Sequence, residues 1–141
     1  MRKLLFALAT IGLAFVSTAS FAQNYAAGQV WQYKNRSQDS GSLLKIQKIE
    51  KIGPENDRMI VYHLSIIGIN VPGMDGTLSH LPVSKQTLDE SVTVLVNSVI
   101  EFPDPAEGIR MWREANGGIF TIPIAEIVGI VEQSIPSGTD T

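Results

Sequence analysis

A two-residue alternation of apolar and polar positions runs through the first half of the chain, once an apolar leading stretch is passed. Over residues 28–36 (GQVWQYKNR), Trp31 and Tyr33 fall on one face and Val30, Gln32 and Lys34 on the other. That is the pattern of a half-buried strand. Residues 38–42 are turn formers. Leu43–Ile52 (LLKIQKIEKI) then keeps the period through Leu44 and Ile46, but Ile49 and Ile52 fall out of phase. A strand with a bulge near Gln47 and Lys48 fits, as does a short helix, and the flanking turn signals favour the strand. Residues 58–71 (RMIVYHLSIIGINV) carry the strongest strand signal. Ile60, Tyr62, Leu64 and Ile66 line one face, and Met59, Val61, His63, Ser65 and Ile67 the other. Two mostly apolar faces predict a central strand covered at least partly on each side. Gly68 is the expected site of a bulge that returns Ile69 and Val71 to the core phase. After the turn residues 72–76, Thr77–Val83 is expected to pair back as a fourth strand, with Pro82 marking its end or an edge.

The second half shifts to helical spacing. Thr87 and Glu90 form a capping-box pattern, with Ser84 as an alternative cap one turn earlier. Leu88, Val92, Leu95, Val96 and Val99 share one helical face, although an all-β fold with the Val-rich Val92–Val96 segment as a fifth strand is the alternative. Asp104, Pro105 and Glu107 open a second helix that runs to about Asn116, buries Ile109 and Trp112, and stops at Gly117 and Gly118. Pro123 opens a third, in which Ile124, Ile127, Val128, Val131 and Ile135 recur on one side. Residues 136–141 read as a frayed tail. Strands segregated from helices predict an α+β domain: an antiparallel meander of three to four strands, followed by two to three helices packed on one sheet face.

Met1-Arg2-Lys3, the thirteen-residue apolar run at 4–16 and the small residues of 17–22 have the order of a secretory signal. Ser20 and Ala22 suit cleavage after Ala22, with Ala19 as second choice. A spanning helix needs roughly 20 apolar residues, so the run is expected to be removed. This leaves residues 23–141 as one periplasmic or secreted domain with no membrane attachment. With no cysteine in the chain, thiol catalysis, Cys-ligated zinc and disulfide staples are excluded, and the apolar core must hold the fold.

Removing Arg2 and Lys3 from the eleven basic residues leaves nine against fourteen acidic ones. The acidic excess lies in residues 86–141, which carry two basic and nine acidic side chains. Nucleic acid is a poor partner for this balance. A periplasmic protein with a cationic surface is a better one. Lys34, Arg36, Lys45, Lys48 and Lys51 make the first hairpin basic. Beside Trp31 and Tyr33, Lys45 gives a candidate ligand-binding face.

Catalytic signals are sparse. Centring the turn on Gly73 and Met74 sets His80 opposite Gly68, about 17 Å along the strand from His63. A shared metal site is therefore not expected. Ser84, His80 and Asp89 permit a triad on paper, without a nucleophile elbow. Glu101, Asp104 and Glu107 read as helix-start charges. No catalytic residue, metal or cofactor is assigned.

Residues 28–34 (GQVWQYK), 80–84 (HLPVS) and 120–126 (FTIPIAE) resemble small secreted proteins of Gram-negative bacteria that carry no assigned activity. The resemblance implies export and supplies no catalytic residue. Three function classes remain: a non-enzymatic interaction module of the inhibitor or immunity type, a small-ligand or cell-wall binder using the Trp31/Tyr33 face, and a hydrolase with a histidine beside a carboxylate or serine.

Overall fold

A computed structural model describes residues 24–136. The leader segment and the tail beyond Pro136 lie outside the described residues. Among the described residues, five strands and three helices follow in the order β1 (Val30–Tyr33), β2 (Leu43–Ile52), β3 (Met59–Ile67), β4 (Thr77–Val83), α1 (Lys85–Ser91), β5 (Val92–Val96), α2 (Ala106–Glu114) and α3 (Ile124–Ser134). The strands form one antiparallel sheet ordered β4-β3-β2-β1-β5. The protein is α+β, with its helices packed against the sheet.

Two details depart from expectation. The sheet has five strands, because the chain leaves α1 at Ser91 and Val92–Val96 pairs with the free edge of β1. Pairing outweighs the helical spacing there, as β-branched residues suit a pleated surface better than a helix. The helices also cover both sheet faces. Leu88 of α1 and Ile124, Ile127 and Val128 of α3 join Trp31, Tyr33, Leu44, Ile46, Tyr62, Leu64, Ile66, Leu81 and Val83 in one core. Helix α2 lies across the opposite face, where Trp112 meets the rings of His63 and His80.

The bulge in β2 sits where the phase of the isoleucines breaks, between Ile46 and Lys48. One extra residue restores Ile49 to the core face and turns Gln47 the other way, where its amide donates to Ser65 Oγ and the Pro103 carbonyl. Beyond β3, Gly68 takes φ +82°, a conformation that costs glycine little. Ile69 and Val71 then fold back into the core.

The helix ends are locally determined. Ser84 accepts from the Thr87 amide at the start of α1. Asp104 accepts from the Ala106 amide ahead of α2. That helix ends in a Schellman arrangement, with Gly117 N–H on the Trp112 carbonyl and Asn116 N–H on that of Arg113. The left-handed residue is Asn116, φ +51°, rather than either following glycine. Arg36 ties the core-side layers together by donating to both buried Asp39 and Glu132 of α3.

Leu64 of β3 is fully buried in the core. Leu64→Ala is expected to lower the unfolding free energy by about 2–5 kcal/mol, read from the urea midpoint at unchanged m-value.

Candidate functional site

Strand β3 has six consecutive buried residues, from Val61 to Ile66. Its α2-facing side carries two polar ones, His63 and Ser65. A buried polar group without a partner is strongly unfavourable, so these two positions dictate their surroundings. Ser65 Oγ donates to the carbonyls of Ser79 and Pro103. His63 is bonded at both ring nitrogens. Nε2 lies 2.7 Å from Glu50 Oε1, and Nδ1 lies 2.8 Å from His80 Nε2.

This contact corrects the expected separation of the histidines. The register pairs His63 with Pro82, not with a residue five positions beyond His80. The turn is therefore centred earlier in the chain than Gly73 and Met74. A second bulge lies in β4, where Leu64 pairs with Leu81 but Ile66 pairs with Leu78. Ser79 and His80 thus share the space opposite Ser65, and His80 points to the α2 side. The imidazole rings sit 5.0 Å apart with an interplanar angle of 28°.

The donors and acceptors fix an order. The Glu50 carboxylate only accepts, so His63 Nε2 carries the proton between them. A neutral His63 then accepts at Nδ1 from His80 Nε2–H. Glu50 is also bonded to Arg113 of α2, with Nη2 3.1 Å from Oε1. The guanidinium holds the Glu50 carboxyl below its usual range; burial opposes this and the His63 bond adds to it. Burial pushes His63 downward against the pull of Glu50, with Lys48 and Arg113 adding to the depression. Burial pushes His80 down to about 4, and His63 contributes. Both rings are therefore neutral near pH 7.

Trp112 roofs the pair edge-on, its ring centroid 5.0 Å from that of His63 and 6.2 Å from that of His80. Its indole N–H donates to the Gly118 carbonyl. Beside it opens a cleft of about 430 Å³ lined by Pro82, Trp112, Gly118, Ile119 and Phe120. Chemically, the chain Glu50–His63–His80 can hold and pass a proton. His63 itself is sealed from solvent.

The residues proposed from sequence are placed elsewhere. Trp31 and Tyr33 are buried in the core under α1 and α3, and Tyr33 is bonded to Ser42. Lys45 lies on the opposite face, paired with Val30 and 6.0 Å from the Phe102 ring. The structure does not bring these three together. Of the first-hairpin cations, Arg36 is engaged by carboxylates, while Lys34, Lys48 and Lys51 are exposed. Ser84 caps α1 and Asp89 bonds Tyr25 and Lys85, so neither contacts His80. Among the described residues, no group of three or more His, Cys, Asp or Glu is arranged to hold a metal ion. Sequence reasoning missed Glu50 and Arg113 altogether. The available signal was a histidine in the middle of a doubly buried strand, which must find a partner on each adjoining strand.

Against known proteins, no family model, no curated sequence and no solved structure matches this chain.

The approach of α2 to this site depends on Gly108. A Cβ there would lie 2.5 Å from His80 Cβ, whereas one at Gly129 of α3 would meet nothing within 4 Å. Alanine improves helix propensity at either position by ~1 kcal/mol. Gly129→Ala is expected to raise the urea midpoint. Gly108→Ala is expected to lower it, because overpacking costs about 1–3 kcal/mol. Equal shifts in the two variants would contradict the close packing of α2 on His80.

Proposed function

We propose that the chain is an exported, non-enzymatic protein-interaction module of the inhibitor or immunity type, freed into the periplasm or medium by cleavage after Ala22. One observation carries this reading. The edge strand β5 and the segment after it expose a run of large apolar side chains: Val94 at 52%, Leu95 at 53%, Val99 at 99% and Ile100 at 51%. Soluble proteins keep such concentrations for contacts.

The opposite edge of the sheet makes the contrast clear. Strand β4 carries Pro82, and the chain around Phe120 covers its outer side: Phe120 N–H bonds the Pro82 carbonyl and Ser84 N–H bonds that of Phe120. Such features keep an edge from recruiting other chains. Strand β5 has a bulge opposite Gln32 but neither a proline nor a charge. Glu90 and Glu101, both exposed, bracket the apolar run in sequence. The partner is accordingly one with an apolar contact rimmed by cations. The burial of Trp31 and Tyr33 in the core favours this reading over a small-ligand site on their face.

Leu95 and Val99 are exposed, so the double substitution Leu95→Glu with Val99→Glu leaves the core untouched. It is expected to weaken capture of the partner from low-salt periplasmic extract at least about tenfold, as the loss of a central apolar anchor does. Undiminished capture, or no partner recovered at low salt, contradicts the proposal. The mass of the native protein should correspond to a chain beginning at Gln23.

A further inference from the structure

Among the described helices, α2 is the most lightly attached. None of its residues is buried, in contrast to three in α1 and three in α3. What joins it to the sheet converges on one place. Gly108 rests on the His80 side chain, Trp112 packs on both imidazoles, and Arg113 is bonded to the same Glu50 that holds His63. Two histidines of two neighbouring strands therefore form the seat of the helix.

We propose that the His63–His80 pair is an acid latch: uptake of a second proton breaks its Nδ1···Nε2 bond and frees α2 from the sheet, while the core under α1 and α3 stays folded.

In the neutral pair a single proton lies between the two rings. One added proton is accommodated, because His63 can then donate from both nitrogens, to Glu50 on one side and to His80 on the other. A second proton turns both facing nitrogens into N–H donors 2.8 Å apart, and the bond becomes a repulsion. The rings titrate as a coupled pair, in two steps.

The charges around the pair set the direction. From β2 it meets the carboxylate of Glu50 and the cation of Lys48, and from α2 the cation of Arg113. β4 adds no ionisable side chain other than His80, and Tyr62 of β3 lies on the core face. Glu107, Arg110 and Glu114 pair among themselves along exposed α2, and Glu101 and Asp104 ahead of α2 are exposed. Among the described residues Glu50 is thus the one close anion, and it is shared with Arg113, so it offsets a first proton but not a second.

A free histidine titrates near 6.5, and burial holds both rings below that in the docked state, His80 at about 4. The undocked state therefore takes up protons first as pH falls. Docking of α2 is complete above about pH 6.5 and is progressively lost as pH falls toward 4. The core face carries no histidine; against the upward push of burial, its buried carboxylate, Asp39, is held low by Arg36 and the Asn70 amide, so the core is drawn down only at the acid end of this window, below the histidine steps.

The test uses the full mature protein labelled with 5-fluorotryptophan, which gives Trp112 of α2 and Trp31 of the core separate ¹⁹F signals. Between pH 7 and 4 the Trp112 signal is expected to move to a solvent-exposed position while that of Trp31 holds. Its midpoint should coincide with titration of the histidine Cε1–H resonances in the same samples. In His80→Gln, which keeps a side-chain donor but does not titrate, the Trp112 transition is expected to vanish from this window. If both tryptophans change together, if Trp112 holds to pH 4, or if its midpoint departs from the histidine titration, the latch is overturned. The wild-type titration decides the matter even if His80→Gln folds poorly.

Discussion

Burial of β3 on both faces governs how the rest of the molecule is arranged. A strand covered on one side can send its polar residues to water, but β3, an interior strand flanked by β4 and β2, cannot. Toward α1 and α3 it presents Tyr62, Leu64 and Ile66, whose packing supplies the main core. Toward α2 it presents Val61, His63 and Ser65, each fully buried. Apolar burial on the first side needs only shape. Polar burial on the second side needs named partners, and these come from three other parts of the chain: Glu50 and Gln47 of β2, His80 of β4 and the carbonyl of Pro103. The segment leading to α2 and the helix itself are placed by that requirement.

The two bulges make it possible to meet the requirement. Without the extra residue at Gln47, Ile49 and Glu50 would exchange faces, putting a carboxylate into the core and taking it from His63. Without the irregularity in β4, Leu81 and Leu78 could not both serve the core while His80 faces His63. Each bulge aims side chains in a way that an unbroken alternation cannot.

Much of this was legible in the residues and part was not. The broken isoleucine phase announced the β2 bulge, and the two apolar faces of residues 58–71 announced a strand covered on both sides, which stands beside the edge strand β4 while β2 takes the central place. The third helix showed itself through its 3–4 spacing, which the burial of Ile124, Ile127 and Val128 reproduces. The Val-rich segment was ambiguous because short apolar runs satisfy both periods, and its fate was decided by the vacant edge of β1, a property of the assembled sheet. The candidate site was illegible for a related reason. His63 and His80 meet only if the β3–β4 register is known to within a residue, and a nine-residue connection with a bulge at its base does not reveal that. Glu50 and Arg113 lie thirteen and fifty residues from His63 along the chain, and no local pattern joins them. Trp31 and Tyr33 drew attention as a binding face because half-buried aromatics look alike in sequence whether helices or ligands cover them.

The molecule thus has a firmly built side and a lightly held one, with the polar pair at the join and the apolar β5 edge left open. The central claim, that β3 is sealed on both faces, is tested most directly by amide hydrogen exchange at neutral pH. The amides of residues 61–66 should be the slowest in the protein, exchanging only with global unfolding, while those of α2 and β5 exchange much sooner. Exchange at residues 61–66 as fast as in α2 would contradict the account.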